Sequence, residues 1–344
     1  MSAIKEILNS IRKLSCEDQK YLKSLLLNEF AVESDMDEFV AEERFANGQM
    51  CPRCGGVHIV CNGHRKDGTQ RYMCKDCKRS FIATTNSIVA GTKKDLRVWE
   101  KYISCMMAGM PIRQTAETCG IHRNTAFYWR HKILDALQDR FGKVELDGIV
   151  EVDETFFTVS YKGDHKRSKV FSMPREVHKR GKAARLHGLS REKVCVPCAI
   201  SRNGSSFARV ANLGRISTNS LDEMFRGKIT DGATLVTDKA SAYIRFAENN
   251  GLKLVQLKSG VGNRGVYNVQ RINSYHSKLK RFIRGFNGVS TKYLNNYLAW
   301  NNFVNCGKET VVEKQNILLR CALTAVMKLK CTEVSSRPPI PMLG

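Results

Sequence analysis

Two aspartates that each end an apolar run are the residues of this sequence best suited to chemistry. Asp153 lies in the run 149–155, and Asp238 directly follows the run 234–237. Carboxylates at the ends of buried strands suit a hard divalent cation, because such cations prefer oxygen ligands. A pair of such carboxylates can position metal ions for attack on a phosphodiester. The two aspartates therefore predict a Mg2+ or Mn2+ site for chemistry on nucleic acid.

A basic helix expected over residues 270–284 would supply the remaining groups of that site. One of its faces carries Asn273, His276, Ser277 and Lys280. The stretch 249–308 contains no Asp or Glu, so a third ligand from it has to be a group other than a carboxylate. Asn273 offers a neutral amide oxygen, which Mg2+ binds more weakly than an anion. Lys280, two turns along, suits a phosphate oxygen.

Each aspartate taken alone has a plainer interpretation. A single Asp at the end of a strand usually caps a turn, and Asp238 precedes a segment that it could cap as a helix. Glu154 is a further carboxylate, but neighbouring residues of a strand face opposite sides, so it should point away from Asp153. The functional interpretation therefore depends on the combination of residues.

The elements that must position these residues begin at Gly148, where short strands alternate with helices. The predicted strands are 149–158, 194–200, 206–211, 234–238 and 252–257. The predicted helices are 217–226, 239–249 and 270–284, and the last fifty residues are expected to be helical. This pattern predicts an α+β domain in the second half of the chain.

Four cysteines predict a metal site in the first quarter of the chain. Cys51, Cys54, Cys74 and Cys77 form two CxxC pairs separated by nineteen residues. Four thiolates at this spacing favour a closed tetrahedral Zn2+ site with a structural role, because soft thiolate selects zinc and no position stays open for catalysis. The other interpretation is a coincidence of two unrelated pairs. Between them, His58, Cys61 and His64 are expected to be structural or surface residues.

The remaining cysteines indicate a reducing compartment. The chain has 13 cysteines, an odd number, and no secretory signal. Cys195 and Cys198 form a lone CxxC inside a predicted strand, where residues three apart face opposite sides and cannot easily share a metal. They are expected to be buried structural thiols.

A helix-turn-helix is expected between Pro111 and Arg130. The small residue Ala116 and, four residues later, Gly120 permit the tight turn between the two helices. The residues expected to be exposed early in the second helix are Arg123, Asn124, Tyr128 and Arg130. Side chains of these types contact base edges and phosphates in a major groove. An ordinary three-helix packing unit without DNA contact is the alternative.

The net charge favours nucleic acid as the partner. The chain has 56 Lys and Arg against 33 Asp and Glu, a net charge of +23, and the positive residues cluster in 163–193 and 249–308. An anionic membrane surface is the rival partner, but the sequence has no run of eighteen apolar residues, signal peptide or lipidation motif. The acidic stretch 28–45 is expected to be a linker after a pair of N-terminal helices, the second of which begins after Ser15.

The order of these parts resembles the bacterial insertion-sequence transposases of the ISXO2-like group, also called the IS1595 family. The resemblance covers residues 1–305 and depends on the order of several short stretches. These are Glu151–Thr155, the basic stretches within 172–190, then 194–196, 200–204, 236–238 and Ile272–Arg281.

The resemblance implies an α+β multidomain chain. The implied parts are an N-terminal helical region with an acidic linker (1–48), a four-cysteine zinc ribbon (49–86), a helix-turn-helix DNA-binding domain (92–140), a ribonuclease-H-like catalytic domain in which helices flank a mixed sheet (146–305) with a basic insert (162–193), and a C-terminal helix and tail (306–344).

The family pattern, carried over residue by residue, implies the catalytic groups. It has two Asp, then Glu, Asn or His, and seven residues later a Lys. These positions are Asp153, Asp238 and Asn273 as ligands of Mg2+ or Mn2+, followed by Lys280. Lys278 and Arg281 on the same helix are implied DNA contacts. The implied reaction is cleavage at the ends of the element, followed by transfer of the freed 3′-hydroxyl to target DNA.

The resemblance also implies the partners, which are double-stranded DNA and further copies of the chain assembled on it. The implied location is the bacterial cytoplasm, at the nucleoid, without a membrane partner. Two other functions stay open at this point. One is a non-catalytic sequence-specific DNA-binding regulator, and the other is a nuclease that cleaves without strand transfer.

Overall fold

The protein is described here from a computed structural model. It describes residues 2–12, 14, 15, 18, 19, 22, 36–141, 144–163, 172, 192–238, 241–257, 263–305, 307 and 309–341. The chain forms two compact units, one of residues 1–136 with 311–330 and one of residues 137–310 with 331–344. The expected C-terminal region 306–344 is therefore divided between both units. Most of the helix expected after Ser15 and of the basic insert 162–193 lies outside the described residues.

The first unit begins with helix α1 (Ser2–Arg12) and helix α2 (Met36–Phe45). The expectation that 28–45 is a linker is wrong for its second part, because Met36–Phe45 is a helix. Met36 and Val40 lie four residues apart on one helix face and are buried, while Asp37 and Glu38 occupy the first turn, where negative charge stabilises a helix. Burial of two side chains on one face outweighs the acidic composition.

A three-stranded antiparallel ribbon follows, formed by β1 (Ile59–His64), β2 (Gln70–Cys74) and β3 (Ser80–Phe81). Its buried core contains Cys51, Tyr72, Cys74 and Phe81. The Tyr72 ring stacks on Phe81 with a centroid distance of 5.6 Å. A core of this size is too small to hold a ribbon folded without a further link, which is the physical reason for a metal.

Three helices complete this part of the first unit, α3 (Leu96–Met107), α4 (Ile112–Thr118) and α5 (Arg123–Phe141). Trp99 of α3 stacks on Trp129 of α5 with ring centroids 3.6 Å apart. Gly120 lies in the turn between α4 and α5 with a φ of +59°, a conformation that favours glycine. Helix α10 (Val311–Thr324) packs against α2 and α3.

A mixed sheet forms the centre of the second unit. Its strands are β4 (Ile149–Thr158), β5 (Lys193–Ser201), β6 (Ser206–Ala208), β7 (Asn212–Leu213), β8 (Thr234–Thr237) and β9 (Lys253–Gln256). The strand order is β6-β5-β4-β8-β9, with β7 also paired to β5. Strands β4, β5 and β6 are antiparallel neighbours, whereas β8 and β9 run parallel to β4. This topology confirms the ribonuclease-H-like fold class.

Helices cover both faces of this sheet. Helices α6 (Thr218–Phe225) and α7 (Ala242–Asn249) pack on the face that carries Val150, Val152 and Leu235. Helix α8 (Gln270–Arg284) packs on β4 and β5 from the other side, and α9 (Leu294–Asn305) contacts α8 and β6. Because side chains alternate along a strand, Glu151 and Asp153 of β4 face α8.

Short elements complete the second unit. These are the strand pair β10 (Asn263–Arg264) and β11 (Tyr267–Asn268), a 3₁₀ turn (Thr291–Tyr293) and α11 (Cys331–Ser335). The expectation of continuous helix over the last fifty residues is wrong for 325–330, which has no regular secondary structure. Within the described ranges, no helix is both long and apolar enough to cross a bilayer.

Candidate catalytic and metal sites

The four ribbon cysteines converge on one point. Their sulfur atoms all lie within 4.8 Å of one another. The Sγ atoms of Cys51 and Cys77 are 3.8 Å apart, and those of Cys54 and Cys74 are 3.7 Å apart. Four sulfurs that each lie about 2.3 Å from a tetrahedral zinc ion are about 3.8 Å from one another. The donor set and its spacing therefore fit the zinc site that the sequence predicts.

The residues between the cysteine pairs lie outside this cluster. His58 Nδ1 is 2.8 Å from Asp76 Oδ1, and the His58 side chain is 73% exposed. Cys61 and His64 are exposed on β1. The expectation that these are surface residues is confirmed by their exposure.

The two aspartates come together through the register of parallel strands. Glu151 of β4 pairs with Val236 of β8. The paired residues end there, and the same register continued by two residues would put Asp153 opposite Asp238. The electrostatic effect of Asp238 on Asp153 shows that the two carboxyl groups are near each other. Asp153 lies within β4, and Asp238 directly follows the end of β8.

Burial and the charge of Asp238 raise the pKa of Asp153 to about 6. Burial is the larger cause, while the backbone N–H of Glu154 and the charge of Lys280 act in the opposite direction. A buried carboxylate whose ionised form is disfavoured by a second carboxylate is an arrangement that a divalent cation stabilises. The residues present therefore fit the cation that the sequence predicts.

Three residues of the predicted face of helix α8 belong to this region, one buried and two exposed. His276 is buried, with Nδ1 3.7 Å from Asp153 Oδ2. Lys280, one turn later, is exposed, and its charge lowers the pKa of both Asp153 and His276. Asn273, three residues before His276, is exposed on the same helix face.

His276 is the site residue to which the sequence analysis assigned no role. Burial lowers its pKa to about 4, and Lys280 contributes to the shift, so the imidazole is neutral at neutral pH. Its spacing of three residues from Asn273 and four from Lys280 is the signal that places it on the same face. Only the packing of α8 on β4 brings it next to Asp153.

A buried carboxylate fixes the start of α8 on the sheet. Glu151 Oε2 accepts a hydrogen bond from the backbone N–H of Ile272 at 3.0 Å, and the Glu151 side chain is 1% exposed. The Arg202 Nε atom lies 3.8 Å from the other carboxylate oxygen. Negative charge at a helix N-terminus is stabilising. Glu151 therefore sets the position of the helix that carries Asn273, His276 and Lys280.

Glu154 lies on the opposite face, as the sequence predicts. Its Oε1 accepts a hydrogen bond from the Tyr243 hydroxyl of α7 at 2.7 Å. Burial, together with the charges of Asp153 and Asp238, raises the pKa of Glu154 to about 7. The alternative in which Asp238 caps the next helix is not realised, because α7 begins at Ala242 with Ser241 before it.

The expected DNA contacts of α5 divide into two groups. Arg123 and Asn124 are exposed in its first turn, and Tyr128 is half-buried. The expectation that Arg130 is exposed is wrong, because its side chain is buried and Nη2 donates a hydrogen bond to the Met110 carbonyl oxygen at 2.8 Å. Arg130 follows Ala126 by four residues and so shares the buried face of α5.

The exposure of the other predicted residues agrees with the roles expected for them. Lys278 and Arg281 are exposed on α8. Cys195 and Cys198 are buried in β5, which confirms that these thiols belong to the core. Burial raises the pKa of the Cys195 thiol to about 12.

Comparisons with known proteins identify the second half of the chain. Residues 145–303 match the family model described as the ISXO2-like transposase domain. An uncharacterised protein in the transposable element ISH50 of Halobacterium salinarum is 24% identical over 272 residues, which cover 78% of this chain and 89% of that protein.

Two solved structures match this chain with low TM-scores. A chain of the simian T-cell lymphotropic virus intasome complex with PP2A regulatory subunit B56 gamma is 10% identical with a TM-score of 0.29, over 59% of this chain and 66% of that one. The catalytic domain of Mos1 mariner transposase is 10% identical with a TM-score of 0.22, over 58% of this chain and 94% of that domain. From the matched family model, residues 145–303 form an ISXO2-like transposase domain.

Proposed function

We propose that this protein is a DNA transposase that binds the terminal inverted repeats of an insertion sequence, cuts there and joins the cut ends to target DNA. The observation that supports the proposal is the parallel pairing of β4 with β8, whose register, continued by two residues, puts Asp153 opposite Asp238 on the side of the sheet that α8 covers. Two carboxylates facing a helix with exposed cations suit chemistry on a phosphodiester. The match of residues 145–303 to the ISXO2-like transposase domain supports the same reaction.

In this proposal Asp153, Asp238 and Asn273 hold Mg2+ or Mn2+. When bound, such a cation supplies Lewis-acid activation of the attacking oxygen and neutralises charge on the scissile phosphate. Lys280 donates a hydrogen bond to a non-bridging phosphate oxygen and holds the strand in place. Glu151 keeps α8 at the distance from β4 that lets both sets of side chains reach one phosphate.

The proposed reaction has two steps. In the first, water attacks the phosphorus at the end of the element, the bond from phosphorus to the 3′-oxygen breaks, and a free 3′-hydroxyl forms beside a 5′-phosphate. In the second, that 3′-hydroxyl attacks a phosphorus of the target strand, and the target strand's own 3′-oxygen leaves with the proton. No bond between DNA and protein is formed in either step.

The first unit supplies DNA recognition in this proposal. The zinc ribbon and the helix-turn-helix hold the inverted repeats, with Arg123, Asn124 and Tyr128 at the groove. Lys278 and Arg281 of α8 bind the strand beside the cut. Two ends must be joined to one target, so the active form is a homo-oligomer on DNA. Its chromosomal substrate puts it at the bacterial nucleoid in the cytoplasm.

The test is a cleavage and strand-transfer assay on duplexes that carry the inverted repeats flanking the coding region. Asp153→Ala and Asp238→Ala should each lower both activities by about a thousandfold or more in Mg2+ or Mn2+ while DNA binding persists. Asp231→Ala is the matched control, because Asp231 is an exposed aspartate of the same unit outside the site. It should behave like the unchanged protein.

Two other outcomes would replace the proposal. Unchanged strand transfer in Asp153→Ala would leave a DNA-binding protein whose sheet domain serves only as a scaffold. Cleavage without any joining, even when a pre-cut end with a free 3′-hydroxyl is supplied, would indicate a nuclease.

A further inference from the structure

The environment of His276 is unusual for a residue with only a packing role. Its side chain is 11% exposed, and Nε2 is buried with no hydrogen-bond partner among the described residues. A buried ring nitrogen without a hydrogen bond is costly, because it has lost water and gained nothing in exchange. The other ring nitrogen, Nδ1, faces the carboxylate of Asp153.

The orientation of Asp153 indicates what Nδ1 of His276 can bind. Asp153 Oδ1 accepts a hydrogen bond from the backbone N–H of Glu154 at 2.8 Å, which fixes the carboxylate. The second oxygen, Oδ2, then lies 3.7 Å from His276 Nδ1. This separation is too long for a hydrogen bond, whose usual upper limit is about 3.2 Å.

The same separation suits two ligands of one cation. Around an octahedral ion with bonds of about 2.1 Å, adjacent ligands are about 3.0 Å apart and opposite ligands about 4.2 Å apart. The distance between Nδ1 and Oδ2 exceeds the spacing of adjacent ligands by about 0.7 Å, which a small side-chain rotation can remove. The ring belongs to the helix face that also carries Asn273 and Lys280.

We infer that His276 supplies a nitrogen ligand to the divalent cation that Asp153 holds. This inference rests on the proposed function and adds a residue to its metal site. It also gives the site a preference, since a nitrogen ligand costs a transition ion such as Mn2+ less affinity than it costs Mg2+, although oxygen ligands suit both ions. The site should therefore bind Mn2+ more tightly than Mg2+, and His276 should carry that difference.

The experiment uses the full zinc-loaded chain with Mn2+ alone. Four thiolates favour zinc over Mn2+, so the ribbon keeps its ion and Mn2+ reports on the other site. Pulsed electron paramagnetic resonance should show nitrogen coupling to the bound Mn2+. In His276→Gln the coupling should disappear, and the Kd for Mn2+ should rise about tenfold or more. The Kd for Mg2+, measured by competition, should change much less.

Two further variants make the result specific. His64→Gln removes an exposed histidine of the ribbon and should leave the coupling unchanged. Asp153→Asn should lower Mn2+ binding itself. The spectrum of the unchanged protein tests the inference without depending on the folding of a variant. Bound Mn2+ without nitrogen coupling in that spectrum overturns the inference.

The remaining outcomes separate this inference from the proposed function. If Mn2+ binding depends on Asp153 but shows no nitrogen ligand, the role of His276 is overturned and the proposed metal site is unaffected. Equal losses of Mn2+ and Mg2+ affinity in His276→Gln would make His276 a residue that only positions Asp153, which also overturns it. If Mn2+ binding does not depend on Asp153 at all, the metal site of the proposed function fails as well.

Discussion

The carboxyl group of Asp153 links the candidate catalytic site to the stability of the fold. Its pKa is raised from 3.8 to about 6, mainly by burial and further by Asp238. A raised pKa means that the protonated form suits the folded protein better than the ionised form. This stabilising contribution is complete below about pH 4 and is lost as the pH rises through about 6. At neutral pH the metal-free protein therefore contains a destabilising charge at its proposed active site.

Replacing Asp153 with Asn should stabilise the metal-free protein at high pH. The amide resembles the protonated carboxyl group, so the free energy of unfolding at pH 8 should increase by about 1–3 kcal/mol, with little change at pH 4. Urea denaturation in magnesium-free buffer at both pH values measures the difference. Asp231→Asn, at an exposed position, should have no effect at either pH. A variant that is less stable than the unchanged protein at pH 8 would contradict the assignment.

Substitution by Ala should affect different properties at two arginines of α5, stability at one and DNA binding at the other. Arg130→Ala removes a buried donor to the Met110 carbonyl and leaves a cavity, so it should lower the free energy of unfolding by about 2–4 kcal/mol. Arg123→Ala should leave stability within about 0.5 kcal/mol, weaken DNA binding and reduce its salt dependence by about one phosphate contact. Denaturation curves and binding titrations on the same samples test both. Equal losses of stability would contradict the burial difference.

At the scale of elements, the sequence predicts the strands well because alternation and apolar runs are local signals. Strand 149–158 is predicted with its observed ends, and the helix over 270–284 is also found as predicted. The acidic helix Met36–Phe45 was missed because its composition resembles a linker, and its two buried side chains are a weak signal. Local sequence patterns indicate secondary structure, but they give little information about which side chains a distant element buries.

The role of Glu151 shows the same limit for the site. In the sequence it is a polar residue between Val150 and Val152, which predicts the solvent face of a strand. In the fold that face is covered by α8, and Glu151 accepts the backbone N–H of Ile272. The aspartates are candidates from the sequence because their residue type suits the proposed chemistry, but the group that positions α8 beside them depends on a contact between residues 121 positions apart.

Removal of zinc should unfold the ribbon. Its buried core includes Cys51, Cys74 and two aromatic rings, which is too little apolar surface for a stable fold alone. Cys74→Ser, or a zinc-selective chelator, should abolish amide-exchange protection in 59–81 and leave that of β4 and β5 unchanged. Zinc content and hydrogen exchange measured together give the result.

The matched control for this prediction is Cys61→Ser. Cys61 is an exposed ribbon cysteine outside the four-sulfur cluster, so this variant should retain one zinc ion per chain and full protection. Protection that persists in zinc-free protein would mean that packing alone holds the ribbon. The metal would then be dispensable for folding.

At the scale of the whole molecule, the dominant property is a net charge of +23. Such a charge attracts any polyanion, so affinity for DNA on its own says little about sequence recognition. The salt dependence of binding separates the contribution of phosphate contacts from that of base contacts. Contacts to phosphates weaken as salt is added, whereas contacts to base edges change much less.

Binding to a duplex of arbitrary sequence should therefore be steep in salt. If the chain neutralises about 6–10 phosphates, its affinity should fall by about 10³–10⁵ between 50 and 200 mM salt. Binding to a duplex that carries the inverted repeat should fall with a similar slope from a higher starting affinity, because base contacts add to the same phosphate contacts. Titrations of both duplexes across that salt range give the two slopes. A shallow slope for the arbitrary sequence would mean that most of the positive charge lies away from DNA, and equal affinities for both duplexes at every salt concentration would argue against recognition of the repeats.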